Sequence, residues 1–166
     1  EDRYDTMADV LADLQRLQPG QLSGYWKNWG HDHRCATVRV NPERDSSTRL
    51  ENRMPDGAAT IHTAVAAVLT AARLGVEAGL ECPDPETGDA LETACTEEHT
   101  PDDLAGALAA LEADSAFADA IGRQMVDQFS AVKAAEWEKY VTAVGNPDEA
   151  RDTVTDWENA MYLPYL

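Results

Sequence analysis

The sequence predicts an α+β fold in which a pair of antiparallel strands is followed by four helices. Three features carry this prediction: two short segments with alternating side chains, a Pro-Asp-Gly turn directly after them, and Ala-rich stretches with apolar residues at helical spacing. The chain has 166 residues and a hydrophobic content of 43%, which is enough for one domain with a core. We therefore predict a single domain over residues 1–166.

The first part of the chain is predicted to hold one helix, a long loop and both strands. Apolar residues at helical spacing predict a helix over residues 4–17, which a Pro-Gly pair ends. Residues 18–33 are rich in Gly and Trp without periodicity, and we expect a loop there. Alternating side chains predict antiparallel strands around 35–40 and 48–54, joined by a polar turn.

The second part of the chain is predicted to be helical apart from one acidic excursion. Residues 80–100 are acidic and contain Pro, Gly and Thr, which is typical of an exposed segment. Thr100 and Pro101 then form a helix start, with Thr100 as the capping residue and Pro101 at the first helical position. The predicted helices cover residues 60–78, 101–113, 117–143 and 155–163.

The charge of the chain limits its partners. The formal net charge is −18, with 31 acidic and 13 basic residues, so the chain repels nucleic acid and anionic lipid. No stretch reaches the roughly 20 apolar residues of a membrane helix, and the three Cys have no metal-type spacing. We predict a cytoplasmic protein with reduced thiols. Few Lys and many acids are typical of a halophile; an ordinary acidic protein is the alternative.

One region of this acidic chain is cationic. Between positions 34 and 53 five Arg stand against three acidic residues, which gives this window +2 and the rest of the chain −20. The planar guanidinium of Arg can bind two oxygens of a phosphate or carboxylate at once. The window therefore predicts an anion site. The five arginines are Arg34, Arg39, Arg44, Arg49 and Arg53.

Strand alternation refines this prediction. Arg49, Glu51 and Arg53 share one face of the second predicted strand, and Arg39 projects from the first. If the strands pair, these guanidiniums and one carboxylate converge on one side of the sheet. A carboxylate in that setting suits Mg²⁺ or Mn²⁺, which bind oxygen ligands and bridge nucleotide phosphates. The alternative is a solvated sheet face with exposed salt bridges.

Other residues give weaker indications. The His31-Asp32-His33 run contains two imidazoles but lacks a third ligand at zinc spacing. Trp26 and Trp29 either line a pocket for an amine or pack within the loop. Trp137 and Trp157 are predicted to anchor helices in the core.

Four motifs of the chain occur in a known order. They are Arg16-Leu17-Gln18-Pro19-Gly20, Arg34-Cys35-Ala36-Thr37-Val38-Arg39, Arg49-Leu50-Glu51-Asn52-Arg53, and the Pro55-Asp56 turn that precedes an Ala-rich helix. In order and spacing they resemble the glutamine synthetase superfamily over about residues 14–79. The tail, with Glu136-Trp137 and Val154-Thr155-Asp156-Trp157-Glu158, resembles its γ-glutamylpolyamine synthetase-like branch. The resemblance implies that the chain is the C-terminal portion of a catalytic domain.

The resemblance also implies a reaction and its ligands. Members of the superfamily use ATP and Mg²⁺ or Mn²⁺ to join an amine to the γ-carboxylate of glutamate through a γ-glutamyl phosphate, within a ring-shaped decamer or dodecamer. The implied residue roles are glutamate binding for Arg16 and Arg53, catalytic charge stabilisation at the γ-phosphate for Arg34, ATP binding for Arg34, Arg39 and Arg49, and metal binding for Glu51.

Departures from the family pattern qualify these expectations. Ammonia-using members carry a Glu in the flap where this chain has Leu22, which favours a larger organic amine as the acceptor, although ammonia stays open. The first metal ligands and the adenine pocket lie upstream in the family, so this stretch alone is expected to be inactive. A non-catalytic member with a role in assembly or regulation is the alternative.

Overall fold

The computed structural model describes residues 17–18, 20–21, 24–43, 45–55, 59–91, 94–151 and 153–165. Arg16, Leu22 and most of the helix predicted over 4–17 lie outside the described residues. The chain divides into two compact units, one of residues 1–57 with 82–100 and one of residues 58–81 with 101–166. The single-domain organisation stays a prediction.

The first unit contains a small mixed sheet. Its strands are β1 (Trp29–His31), β2 (Val38–Val40) and β3 (Leu50–Asn52), in that spatial order. β2 and β3 form the predicted antiparallel pair, although each is shorter than predicted, and β1 runs parallel to β2. β1 falls in the predicted loop because a three-residue strand centred on Gly30 shows no alternation.

The segment 82–100 is a partly buried part of this unit, so the expectation of an exposed excursion is wrong for its centre. Glu86, Ala90 and Thr100 are buried, and the Glu86 amide donates to the Trp29 carbonyl at 2.7 Å. The Glu86 carboxylate accepts four hydrogen bonds, which offset the cost of burying a charge. Its donors are Asn28 Nδ2 at 3.2 Å, Thr87 N at 2.9 Å, Gly88 N at 2.8 Å and Cys95 N at 2.8 Å.

The second unit is helical over the residues that the structure describes. Its elements are α1 (Ile61–Glu77), α2 (Leu104–Ala113), α3 (Ser115–Ile121), α4 (Arg123–Val144), α5 (Pro147–Ala150), α6 (Asp156–Tyr162) and a 3₁₀ turn (Leu163–Tyr165). In the described part of the chain, none of the helices combines the length and apolar content needed to cross a membrane. The two units together are consistent with an α+β fold.

Two helix boundaries differ from the predicted ones. The helix predicted over 117–143 is two helices, α3 and α4, separated at Gly122, whose φ of 117° is far from helical values. α2 begins at Leu104 because Asp103, and not Thr100, caps it, with its carboxylate accepting from Gly106 N at 2.7 Å. Thr100 is buried ahead of the helix and donates its amide to the Tyr25 carbonyl at 2.8 Å.

An aromatic cluster joins α4 to α6 through Trp137 and Trp157, which are half-buried and not in the buried core that the sequence predicts for them. The Tyr140 ring lies 5.4 Å from each of these two indoles, and Trp157 lies 6.1 Å from Tyr162. Beside them the buried Glu136 carboxylate accepts hydrogen bonds from Lys133 and from the Tyr162 hydroxyl. Aromatic packing and the hydrogen bond from Tyr162 to the Glu136 carboxylate therefore hold α6 against α4.

We predict that Tyr162→Phe destabilises the full-length protein by about 1–3 kcal/mol, because Glu136 keeps its charge and loses a buried donor. Tyr140→Phe is the matched control, since it removes the same atom from the same cluster and costs no hydrogen bond to a described residue. Urea unfolding of both variants measures the difference. Equal losses of stability in the two variants would contradict the assigned role of the Glu136–Tyr162 bond.

We also predict an acid-dependent loss of stability that originates at Glu86. Burial raises the pKa of Glu86, but the amides of Cys95 and Gly88 and the Asn28 side chain outweigh burial and lower the pKa from 4.5 to about 2. The folded state thus binds this proton less readily than the unfolded state. The stabilisation is full above the ordinary pKa and is lost as the pH falls towards about 2.

The measurement is the urea midpoint between about pH 5 and pH 3. Glu86→Gln should flatten the pH dependence of the midpoint in this window, whereas Glu97→Gln, at an exposed position of the same segment, should leave it unchanged. Identical pH slopes for wild type and Glu86→Gln would exclude Glu86 as the source.

Candidate functional site

The register of β2 against β3 places Arg39 directly opposite Glu51. Arg39 Nη1 lies 3.1 Å from Glu51 Oε2, and Arg53 Nη1 lies 2.5 Å from Glu51 Oε1. Each carboxylate oxygen of Glu51 therefore accepts from a different guanidinium. Cross-strand neighbours of opposite charge stabilise a sheet, and here they also fix the two arginines around one carboxylate.

Asp32 completes this group. It follows β1 with a φ of 50°, a left-handed conformation that Asp adopts more readily than most residues. Its Oδ1 accepts from Arg39 Nε at 3.0 Å and also from Arg39 Nη2. We refer to Asp32, Arg39, Glu51 and Arg53 as the arginine–glutamate cluster.

Electrostatics connect two further arginines to this cluster. The hydrogen bond and then the charge of Arg39 lower the pKa of Asp32, and the charges of Arg34 and Arg49 lower it further. The hydrogen bond that Arg39 donates to Asp32 in turn raises the pKa of Arg39. Arg34 and Arg49 are exposed, and Arg49 Nη1 donates to the Ser47 carbonyl at 3.0 Å. Both guanidiniums thus lie in electrostatic range of Asp32.

Three of the predicted site residues therefore form direct ion pairs: Arg39, Glu51 and Arg53. Arg34 and Arg49 interact with the cluster through their charges. Arg16 lies outside the described residues. The side chains of Arg39 and Arg53 are 19% and 24% exposed and that of Glu51 is 44% exposed, so the cluster is ordered by contacts and still open to solvent.

The charges of these groups favour an anion. The two acids and two arginines of the cluster cancel, and Arg34 and Arg49 add two positive charges, one of which is offset by Glu43, so the region is positive in a chain of −18. A local positive potential of this kind concentrates anionic ligands. Because carboxylates already hold Arg39 on two sides, its planar fork loses little freedom when it meets a phosphate.

The residues fit a divalent cation only in part. Glu51 offers a carboxylate of the type that Mg²⁺ and Mn²⁺ bind, and each oxygen has lone pairs beyond the one that Arg39 or Arg53 uses. Within the described ranges no group of three His, Cys, Asp or Glu is arranged to hold a metal. Glu51 can therefore supply one ligand, and the other ligands would come from outside the described residues.

The imidazoles around Asp32 have other contacts. The His31 ring meets the Trp29 ring edge-on at 5.2 Å, and His33 Nε2 lies 2.6 Å from the Gly88 carbonyl. These contacts give the run a packing role in place of a metal site.

The indoles of the predicted loop also pack within the unit. Trp26 Nε1 donates to the Leu91 carbonyl at 3.3 Å, and Trp29 Nε1 donates to the Pro83 carbonyl at 2.8 Å. Both rings are half-buried. Of the two interpretations for Trp26 and Trp29, the structure favours packing against the segment 82–100 over lining an amine pocket.

Sequence reasoning missed two acids that matter to this region. In the sequence Asp32 stands out only as part of the His31-Asp32-His33 run, although an Asp after a Gly-containing segment is a signal for a turn. Glu86 gave no signal, because it is one acid among many in an acidic segment. Only the folded chain shows which of those acids is buried.

The sheet and the cluster form an α+β unit that presents clustered guanidiniums around one carboxylate. The chain belongs to the glutamine synthetase family: residues 7–162 match the family model described as the glutamine synthetase catalytic domain. The γ-glutamylpolyamine synthetase-like branch stays a prediction.

Relatives support the same assignment. The chain is similar to the glutamine synthetase of Methanocaldococcus jannaschii, with 31% identity over 94% of this chain and 34% of that protein. It is also similar to the glutamine synthetases of Methanococcus maripaludis, at 34% identity over 93% of the chain, and Staphylococcus epidermidis, at 31% identity over 93%. In each case it spans 34% of the relative, about a third of its length.

We predict that Glu51→Gln strengthens the binding of inorganic triphosphate without metal, by roughly two- to fivefold. The substitution removes the carboxylate charge that competes for Arg39 and Arg53. Calorimetric titration of the full-length protein in a chelator measures the affinity. Glu98→Gln, which removes an exposed charge 3.6 Å from Lys27, is the control and should have no effect. Unchanged binding by Glu51→Gln would show that the cluster does not receive the anion.

Proposed function

We propose that the protein containing this chain is an ATP-dependent ligase that joins an amine to the γ-carboxylate of glutamate. In the first step the γ-phosphoryl group of ATP passes to the glutamate carboxylate, giving ADP and γ-glutamyl phosphate. In the second step the amine attacks the acyl carbon, and inorganic phosphate leaves as the amide forms. The observation that carries the proposal is the convergence of Arg39 and Arg53 on Glu51 in a chain of this family.

Phosphoryl transfer depends mainly on positioning and on neutralising charge, and clustered guanidiniums suit both tasks. We assign ATP phosphate binding to Arg34, Arg39 and Arg49, and charge stabilisation during transfer to Arg34. Arg34 and Arg49 are exposed, and their charges already act on Asp32, so both can turn towards a phosphate near Arg39.

Glutamate binding is assigned to Arg16 and Arg53. Arg53 is the less exposed member of its pair with Glu51, which holds its guanidinium in a defined position for a substrate carboxylate. A bidentate contact of this kind fixes the orientation of the substrate as well as its charge.

The cation is assigned to Glu51. Mg²⁺ or Mn²⁺ bound there would neutralise phosphate charge during transfer. Glu51 itself bridges Arg39 and Arg53, so the same carboxylate that is offered to the metal also sets the spacing of the two guanidiniums. This double role accounts for the position of Glu51 between the two arginines.

The acceptor is proposed to be an organic amine or ammonia, with the loss of an acid at Leu22 favouring the organic amine. The proposal extends to a cytoplasmic, ring-shaped homo-oligomer, a role in nitrogen metabolism and adaptation to high salt. No observation on the described residues and no relative favours the non-catalytic alternative.

A phosphate-release assay tests the proposal. The full-length protein is incubated with ATP, Mg²⁺, glutamate and a panel of ammonia, ethanolamine, monoamines and polyamines, in low and high salt. We expect release that requires both glutamate and an amine, and that is faster with at least one organic amine than with ammonia. Full turnover with ammonia alone would overturn the inference drawn from Leu22. No glutamate-dependent release with any amine would overturn the ligase proposal.

We predict that Glu51→Ala lowers metal-dependent turnover at least about 100-fold while the melting temperature stays near that of the wild type. The side chain is 44% exposed, so its loss removes little packing. Glu112→Ala, at an exposed position of α2, is the matched control and should retain full turnover. Wild-type activity in Glu51→Ala would remove Glu51 from the proposed site.

A further inference from the structure

Three buried polar side chains lie in a row beside the sheet. Glu86, Asn28 and Thr37 are 6%, 5% and 4% exposed. Asn28 Nδ2 donates to Glu86 Oε2 at 3.2 Å, and Asn28 Oδ1 accepts from the Thr37 amide at 3.0 Å. We call Glu86, Asn28 and Thr37 the polar relay. Every link joins a donor to an acceptor, as buried polar groups require.

The polar relay reaches the backbone that carries the arginines. The Thr37 carbonyl accepts from the Arg53 amide at 2.9 Å, and the Val38 amide donates to the Asn28 carbonyl at 3.1 Å. Thr37 therefore lies between the Asn28 side chain and the Arg53 main chain. Arg39 follows two residues later, in β2, opposite Glu51.

The charge of Glu86 determines how the Asn28 amide is oriented. A carboxylate only accepts hydrogen bonds, so the Asn28 NH₂ group must face Glu86 and its oxygen must face the Thr37 amide. Reversing the amide would place oxygen against oxygen and NH₂ against N–H. The other bonds of Glu86, from the amides of Thr87, Gly88 and Cys95, fix the carboxylate itself.

We propose that Glu86 is a positioning residue for the arginine–glutamate cluster, acting through Asn28 and Thr37 to hold β2 and β3 where Arg39 and Arg53 meet Glu51. The inference rests on the proposed function only in taking ATP phosphates as the natural ligand. The polar relay makes no contact with substrate. It sets the backbone from which the guanidiniums project, and a displacement of about 1 Å in such a site is enough to weaken function strongly.

The first test uses Glu86→Gln in the full-length protein. Both carboxylate oxygens of Glu86 accept from N–H groups, so the NH₂ group of Gln at this position faces N–H donors in either orientation of its amide. We expect inorganic triphosphate to bind roughly tenfold more weakly in a chelator, and the KM for ATP to rise by a similar factor. Glu97→Gln is the matched control in the same segment and should change neither value.

The second test separates positioning from stability. The double variant combines Asn28→Asp with Glu86→Gln. The carboxylate at position 28 still accepts from the Thr37 amide, and it now also accepts from the amide at position 86. The relay is therefore restored, with the direction of the bond between positions 28 and 86 reversed. The Cys95 amide loses its acceptor in this variant. We expect triphosphate affinity within about threefold of the wild type together with a lowered melting temperature.

If Glu86 has a purely structural role, triphosphate affinity falls whenever the melting temperature falls. The double variant then binds triphosphate as weakly as Glu86→Gln does. That outcome overturns the proposal. If Glu86→Gln does not fold, Asn28→Ser takes its place, because it keeps the three backbone bonds of Glu86 and removes the link to Thr37. Triphosphate affinity equal to that of the wild type in Asn28→Ser also overturns it.

The two proposals fail in different ways. Absence of ligase turnover in the wild type refutes the proposed reaction, while triphosphate binding in a chelator still measures the geometry of the cluster. Conversely, wild-type triphosphate affinity in Glu86→Gln refutes the positioning role and leaves the ligase proposal in place.

Discussion

The pairing of Arg39 with Glu51 across β2 and β3 is the interaction on which the site depends. Strand register is all-or-none: a slip by one residue would send Glu51 to the other face of the sheet and leave Arg39 without this partner. Arg53, two residues further along, then meets the second oxygen of the same carboxylate. A single register thus decides whether the guanidiniums form one cluster or two separate surface charges.

Buried hydrogen bonds stabilise that register more than the exposed ion pairs do. Exposed ion pairs contribute little free energy, and Glu51 and Asp32 are both substantially exposed. The buried hydrogen bonds of Glu86, Asn28 and Thr37 cost more to break, because each group would lose its partner away from water. The acidic segment 82–100 is therefore part of the structure that supports the cluster.

Membership of the glutamine synthetase family indicates the kind of chemistry for which this arrangement of arginines is proposed. The four charges of the cluster cancel, and the neighbouring Arg34, Arg49 and Glu43 leave this region positive in a strongly acidic chain, which favours an anionic ligand there. The chain spans about a third of the length of its relatives, and among the described residues no group of three potential ligands could hold a metal ion. Sequence and geometry thus agree in placing Arg39 and Arg53 around Glu51.

The sequence alone determined the antiparallel pair, the common face of Arg39, Glu51 and Arg53, and the helical second half, because periodicity and residue type are local properties. It did not determine the break at Gly122 or the cap at Asp103, where neighbouring signals compete. Tertiary structure decided β1 and the burial of Glu86, because both depend on contacts between residues tens of positions apart, which no local pattern records.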